Sequence, residues 1–493
     1  MTGAPQSGKS ILLRTLITSM ALTHTPQDVQ IYGIDHGGGG LASIAGLPHV
    51  GGIATRLERE RVRRILSELA DLLARREALF AERGIDSVSV FRSMRAAGEL
   101  PEEPLGDVFL VIDNFGAMRS EMDDADELVF DLASRGLGYG LHVVIATNRA
   151  NDMRINLRDT LGSRVELRIG DPMDSEVDRK ASELLAGSPP GRGLTTGKLF
   201  FQVALPRADG VADPLSLAKA SEHLAEIAAR EWTGPRAPEV RMLPPRVDAA
   251  ALPPSMGEPG VVVGVSERNL GPVRLDLRGG DPHFLVYGDS ESGKTAFLRT
   301  YLRGLVASEP PTRAKVVMVD LRRTLLEVVP ESHLASYSGS LAQAGVELTK
   351  LRNSLIERLP PVDVTVSQLR DRSWWSGPDV YVVVDDYDLV VTPAGNPLAP
   401  LLELVPQARD VGLHIIAARR VAGAGRSSFE PFLQRVREMG EQGLILAGDH
   451  AEGQILGGVR AAPHPPGRGT LVRRRAAPEL IQVAWTPDHL PVA

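Results

Sequence analysis

The chain of 493 residues contains no cysteine. Disulfides and thiolate metal ligands are thereby excluded, and the composition fits a reducing compartment. No apolar run approaches the roughly 18 residues that a membrane helix needs, and the first residues do not form a signal peptide. Membrane association is therefore expected to come from a partner or from sequence outside this chain. Net positive charge is also missing: 62 acidic against 55 basic residues leave −7 at pH 7. A broad basic surface of the kind duplex DNA demands is not expected, although a local basic loop would be hidden in such an average. The last thing missing is a strand in front of the first motif. Residues Gly3 to Ser10, G-A-P-Q-S-G-K-S, make a complete phosphate-binding loop with only Met1 and Thr2 before it.

What is present is the composition of a globular chain, long enough for two to four domains with ordinary cores. Strand-like apolar runs alternate with helical segments, the pattern of α/β domains with largely parallel sheets. The proline-rich stretch GPRAPEVRMLPPRVDAAALPPSMGEPG, from Gly234 to Gly260, interrupts this pattern and reads as a linker or a strand-poor approach to a second domain. The expected boundaries are a first domain over 1–235, a linker over 236–258 and a second domain over 259–493.

The two halves repeat. Lys9 in GAPQSGKS stands 285 residues before Lys294 in GDSESGKT, and Asp35 of VQIYGID stands 285 before Asp320 of AKVVMVD. Asp113 in VFLVID and Asp385 in VYVVVD are 272 apart, as are His142 in GLHVVIAT and His414 in GLHIIAA. PPGRG at 189–193 recurs at 465–469. Equal offsets inside blocks, with small shifts between blocks, describe two related domains with loop insertions. The second copy has HFLVY before Gly288, whereas the first has only Met1 and Thr2, so the chain is expected to start inside a domain whose N-terminal strand is missing.

Both loops match G-x-x-x-x-G-K-[ST]. Their backbone N–H groups would curl round phosphates, with the positive end of the following helix behind them. The nucleotide-binding candidates are Gly3, Ala4, Pro5, Gln6, Ser7, Gly8, Lys9 and Ser10 in the first copy. In the second they are Gly288, Asp289, Ser290, Glu291, Ser292, Gly293, Lys294 and Thr295. Lys9 and Lys294 suit the β and γ phosphates of ATP. Ser10 and Thr295, with Asp113 and Asp385 at strand ends, suit Mg²⁺. Hydrolysis usually needs a glutamate after that aspartate. Here Asn114 stands in the first copy, unable to accept a proton, and Asp386 in the second, a candidate base about one methylene short. Asn148, in Thr147–Asn148–Arg149, is a candidate γ-phosphate sensor, replaced in the second copy by the Arg419–Arg420 pair. Each copy departs from a full hydrolytic set in a different way.

Further features are open to two readings. Asp35–His36 with Gly37 to Gly40 reads as a flexible interface loop or a tolerant turn. The charged helix around Arg56 to Arg83, with an apolar stripe at 3.6 spacing, reads as a solvated outer helix or a surface for a neighbouring domain. Trp374 and Trp375 read as local packing or as a partner contact, with one ring expected at a surface. Arg192 and Arg468 in the PPGRG turns read as shaping their loops.

The phosphate loops, DHGGGGL with LPHVGG, GDVFLVID, LRDTLGSRVELRIGD, VSQLRDRSWWSG, GLHVVIATNR and GLHIIAARR together resemble FtsK/SpoIIIE-type ATPases. More closely they are similar to the tandem second and third ATPase domains of the EccC component of type VII (ESX) secretion systems. The resemblance implies two RecA-like P-loop NTPase domains that bind ATP and Mg²⁺, hydrolyse slowly and regulate an upstream ATPase domain. It implies a hexameric assembly at the cytoplasmic side of the cell membrane, anchored through an upstream region or a separate subunit. It implies that the last domain docks the C-terminal signal of Esx-type substrates, for which an aliphatic groove is expected. No specific nucleic acid is expected. An FtsK-like DNA translocase and a nucleotide-independent scaffold are the alternatives. The first would need a glutamate after each strand-end aspartate; the intact Lys9/Ser10 and Lys294/Thr295 speak against the second.

Overall fold

Runs such as VQIYGID and VYVVVD are apolar on both faces, which suits strands covered by helices on both sides of a parallel sheet. A computed structural model describes residues 1–122, 124–254, 258–279, 281–393, 395–427 and 430–487. The chain divides into two compact units, Met1–Met242 and Leu243–Ala493. Among the described residues no helix is long and apolar enough to cross a membrane.

In the first unit β1 (Val29–Asp35), β2 (Val50–Thr55), β3 (Asp107–Asp113) and β4 (Leu141–Ala146) form a parallel sheet in the order β2-β1-β3-β4. A separate antiparallel sheet holds β5 (Val165–Leu167), β6 (Arg192–Thr195) and β7 (Phe200–Gln202). Thr2 alone bridges the two, in parallel with Thr147 and Glu166. The helix Lys9–Thr23 covers one face of the parallel sheet through Leu13 and Ile17, and Arg59–Arg83 covers the other through Val62, Ile65, Leu69 and Leu73.

The second unit has β8 (Val247–Asp248), β9 (Val261–Ser266), β10 (Pro272–Leu275), β11 (His283–Tyr287), β12 (Ala314–Val319), β13 (Leu334–Ser338), β14 (Asp379–Val384), β15 (Leu413–Arg419) and β16 (Gly443–Ile445). The short hairpin β17 (Gln454–Leu456) and β18 (Val459–Arg460) follows, then β19 (Arg468–Val472) and β20 (Glu479–Trp485). All except the hairpin join one sheet in the order β10-β9-β20-β19-β16-β11-β15-β14-β12-β13, with β8 on β20. Here β11, the HFLVY strand, lies between β15 and β16 and fuses what are two sheets in the first unit. One residue, Thr2, stands where the second unit has the five of β11.

The stretch read as a linker or a strand-poor approach is anchored at both ends. Ala237 and Val240 donate N–H groups to Pro48 and Gly51, and Val240 is buried in the first core. Leu243 and Val247 are buried in the second. Apolar residues spaced between prolines do the anchoring, which a count of prolines hides. The charged helix Arg59–Arg83 is not solvated throughout, because Arg64 and Arg76 on it are fully buried.

Candidate nucleotide sites

The two phosphate loops have the same backbone. Gln6 and Glu291, the fourth residues of each, take φ of 60° and 61°, and Gly8 and Gly293 take 105° and 108°. This left-handed bend turns successive N–H groups inward, the geometry of an anion nest at a helix N-terminus. Gly8 is required twice over: its φ is positive, and a Cβ there would lie 2.6 Å from the Gly191 nitrogen. That closeness reveals the role of the PPGRG turns. Gly191 N–H donates to Ser7 O at 2.8 Å and Gly467 N–H donates to Ser292 O at 2.8 Å, so each turn clasps its loop from outside. The arginines divide: Arg192 lies over the Phe200 ring, while Arg468 is buried and donates to Gln482 and to the carbonyls of Leu243 and Pro244.

In the first unit Lys9 Nζ donates to Gly3 O (2.6 Å), Ala4 O (2.9 Å) and Asn148 Oδ1 (3.0 Å). Ser10 Oγ donates to Asp113 Oδ2 at 2.5 Å. The candidate sensor, loop lysine, helix hydroxyl and strand-end carboxylate thus converge on one open cleft of about 540 Å³, which Gln6, Gly37 and Asn114 also line. Burial lowers the Lys9 pKa and raises that of Asp113, whose side chain sits beside Asp35. Both shifts state the same physics: desolvated charges that a phosphate and a cation would relieve.

The second unit repeats this with one addition. Lys294 Nζ donates to Asp289 O at 3.0 Å, and Thr295 Oγ1 donates to Asp385 Oδ2 at 2.8 Å. Thr324 Oγ1 donates to the same oxygen at 3.1 Å. Burial lowers Lys294 and raises Asp385. The donor sets fit ATP and Mg²⁺. Each site offers a nest, one ammonium, one hydroxyl and one hard carboxylate, and a cation there would complete its shell from phosphate oxygens and water. Ser7 Oγ and Ser292 Oγ are buried at matched places in the nests with no protein partner.

The residues after the aspartates each have a protein partner. Asn114 and Asp386 both lie in the left-handed region, with φ of 61° and 49°. Asn114 Nδ2 donates to His36 O at 3.0 Å. Asp386 pairs with Arg322 Nε at 2.6 Å. The Asp35 loop is an ordered turn: its carboxylate accepts N–H groups of Gly37, Gly39 and Leu41. Asp320 repeats the last of these bonds with Leu325. The Arg419–Arg420 pair is turned to Asp388, which accepts from the Arg419 guanidinium and from Arg420 N–H. Trp374 and Trp375 are half-buried local anchors, donating to Arg358 O and Asp410 O, with Arg358 over the Trp375 ring.

Sequence reasoning did not find Arg322, Thr324 or the clasp. The offset of 285 that pairs Asp35 with Asp320 also pairs Gly37 with Arg322, so one signal was present.

The FtsK/SpoIIIE family model matches residues 1–207 and 261–346. The chain belongs to the FtsK/SpoIIIE family. Within that family it matches EccC proteins of ESX secretion systems along nearly its whole length. It is 47% identical to the ESX secretion system protein EccC of Thermomonospora curvata over 98% of this chain and 37% of that protein. It is 38% identical to the ESX-1 protein EccCb1 of Mycolicibacterium smegmatis (strain MKD8), over 98% and 83%. A solved structure of ATPases 2 and 3 of T. curvata EccC with a signal sequence peptide superposes with a TM-score of 0.93 at 46% identity, over 99% of this chain and 87% of that one. The chain spans little more than a third of the length of the T. curvata relative. Its two units therefore correspond in fold to the tandem ATPase domains of EccC.

Proposed function

We propose that the chain is an ATP-binding, slowly hydrolysing part of an ESX secretion motor, whose second unit recognises the C-terminal signal of Esx-type substrates. One observation carries the nucleotide half: both loops are preformed and share a hydroxyl–carboxylate pair, while Asn114 and Asp386 are engaged elsewhere. Bound Mg²⁺ would neutralise phosphate charge. Lys9 and Lys294 would hold the phosphates, Ser10 and Thr295 with Asp113 and Asp385 would orient the cation, and Asn114 and Asp386 each have a protein partner. ATP then acts mainly as a structural ligand, and the units regulate an upstream, membrane-anchored ATPase region within a hexamer rather than drive transport themselves.

The repeat supports the peptide half. In the first unit an extended segment lies on edge strand β2: Ala237 and Val240 donate to Pro48 and Gly51, and Tyr32 Oη donates to Pro238 O. Every residue of β2 but the last is buried. The matching edge, β13, leaves Ala335 exposed, beside the helix Leu341–Ile356 with Leu341 and Val346 also exposed. An apolar edge that binds a strand in one copy fits a strand or helix from a partner in the other.

Purified chain should bind ATP with Mg²⁺ through Lys9 and Lys294, turn it over barely above background, and bind an Esx C-terminal peptide that Ala335→Arg repels. Fast turnover stimulated by DNA would overturn this reading.

A further inference from the structure

Between two buried carboxylates of the second unit stands one hydroxyl. Thr324 Oγ1 lies 3.1 Å from Asp385 Oδ2 and 3.4 Å from Asp320 Oδ1, and Tyr337 Oη donates to Asp320 Oδ2 at 2.9 Å. We propose that Thr324 belongs to the cation site of this unit and, through Asp320 and Tyr337, makes the docking edge β13 respond to Mg²⁺-ATP, a role that rests on both halves of the function proposed above.

The repeat isolates this arrangement. Asp35 and Asp320 each accept a leucine N–H, from Leu41 and Leu325, so Gly40 stands in the first unit where Thr324 stands in the second. A Cβ at Gly40 would lie 3.3 Å from Ser10 Cβ, so this position faces the helix hydroxyl that pairs with the strand-end aspartate. Strand register matches Tyr337 with Ile53: Met318 pairs with Tyr337 as Gly33, 285 residues earlier, pairs with Ile53. Asp35 is otherwise held by the main-chain N–H groups of Gly37 and Gly39, where Asp320 has the two side-chain hydroxyls. Main-chain donors are fixed by their turn, whereas a hydroxyl proton rotates to suit its acceptors. This difference follows the occupant of the edge. In the first unit a segment of the same chain lies on it; in the second a partner comes and goes.

The direction of the response follows from charge. Asp320 and Asp385 are 1% and 3% exposed, and both draw on the one Thr324 proton. With the charge of Asp385 offset by a cation, that proton belongs to Asp320, whose carboxylate then holds the Leu325 N–H and both hydroxyls. Tyr337 is thereby fixed. Its carbonyl accepts from Gln343 Nε2 at 2.8 Å, in the first turn of the helix Leu341–Ile356, so edge strand and helix are held together. The backbone of Thr324 is fixed independently, since the buried Arg299 donates to its carbonyl at 3.3 Å. A peptide that prefers the ordered edge then binds more tightly with Mg²⁺-ATP present, and by linkage tightens Mg²⁺-ATP in return.

Two measurements on the full chain test this, each at saturating ATP with either Mg²⁺ or EDTA. In hydrogen exchange, Mg²⁺-ATP should slow 288–295 and also 334–345 severalfold, and ATP with EDTA should leave 334–345 unprotected. The second probe is a labelled copy of the signal sequence peptide bound by T. curvata EccC, followed by fluorescence anisotropy in a Lys9→Ala chain. It should bind about five- to tenfold more tightly with Mg²⁺ than with EDTA, at the low end of allosteric coupling. Thr324→Val, a change of similar volume at an exposed residue, and Tyr337→Phe, which keeps the ring, should each bring that ratio to about one, and Thr324→Ser should keep it. Equal losses in both conditions, with the ratio kept, would give the two residues a structural role only and overturn the proposal. If 288–295 is protected in neither condition, the nucleotide reading has failed and the proposal with it. Protection there without peptide binding in either condition would sink the peptide reading, and again the proposal. Protection and binding with no gain from Mg²⁺ would refute the coupling alone.

Discussion

The Arg322 guanidinium and the Asp386 carboxylate meet at 2.6 Å, across from the phosphate loop of the second unit. Arg322 occupies the place of Gly37, and Asp386 that of Asn114, so both partners of this ion pair are specific to the second copy. The ion pair turns this carboxylate to Arg322, and an aspartate already falls short of the usual reach to a water. The pair is half exposed on the arginine side, so it contributes little to stability. Arg322→Ala should therefore fold normally and raise turnover at the second site by about tenfold, less than the roughly hundredfold that a well-placed general base contributes, because the aspartate is short. Turnover measured in a Lys9→Ala chain isolates that site; an unchanged rate would show that Asp386 is not held back by Arg322.

In the first unit, replacing Asn114 by glutamate should not restore hydrolysis. Asn114 is in a left-handed conformation that asparagine and aspartate tolerate better than longer side chains, and it gives a hydrogen bond to His36 O. Glutamate loses that donor and adds strain of about 1–2 kcal/mol. Asn114→Glu should lower the melting temperature by several degrees without a gain in turnover above twofold, whereas Asn114→Asp should be the milder change. A tenfold gain for the glutamate variant would show that the loop rearranges freely.

The same loop makes Gly37 a tight point. A Cβ there would lie 2.4 Å from Asp113 Oδ2 and 2.6 Å from its Cγ. The displaced atoms belong to the proposed cation ligand, so Gly37→Ala should weaken Mg²⁺-ATP at the first site at least tenfold and cost about 1–3 kcal/mol of stability. Calorimetric titration in a Lys294→Ala background reads the affinity; wild-type affinity would mean that Asp113 moves without consequence.

The strands and the phosphate loops were legible because each depends on contiguous residues. VFLVID needs only to be apolar on both faces, and the nest needs only its glycines and lysine. What was hidden joins distant residues through side-chain direction. Gly191 clasping Ser7, Thr324 sharing Asp385 with Thr295, and Arg322 reaching Asp386 are fixed by how loops fold back over the sheet. The anchoring of the segment 236–258 was hidden for another reason: its prolines dominate the composition, while Val240, Leu243 and Val247 decide its packing.

Stability of the second unit should depend on pH through His283. Its ring is buried, burial pushes its pKa down to about 3, and the nearby His414 acts in the same direction. Ile415 N–H donates to His283 Nδ1 at 3.1 Å, which requires that nitrogen to be unprotonated. Unfolded, the ring titrates near 6.5. The folded value is the lower one, so the unfolded chain takes the proton first as pH falls. Stability is full above about pH 6.5 and declines from there toward pH 3, by up to about 1.4 kcal/mol per unit. His283→Asn keeps an acceptor and removes the titration, so urea unfolding between about pH 4.5 and 7 should show a shallower slope by one proton. An identical slope in the variant would assign the effect elsewhere.

Arg76 is a fully buried charge in the core of the first unit. Its side chain is 0% exposed, and it donates to the carbonyls of Tyr139 (2.8 Å), Leu105 (2.9 Å) and Gly106 (2.8 Å). Glu103 Oε1 lies 3.3 Å away, and the Phe91 ring centroid 5.0 Å from the guanidinium carbon. The planar fork thus ties the helix Arg59–Arg83 to the approaches of β3 and β4. Removing it leaves buried carbonyls and a carboxylate without a donor, a loss of about 3–5 kcal/mol. Lysine keeps the charge but is a compact point with no planar fork, so it cannot reach the three carbonyls together. Arg76→Ala should shift the unfolding midpoint of the first unit by that amount and Arg76→Lys should recover less than half. A loss under about 1 kcal/mol for alanine would mean that water enters and replaces the guanidinium.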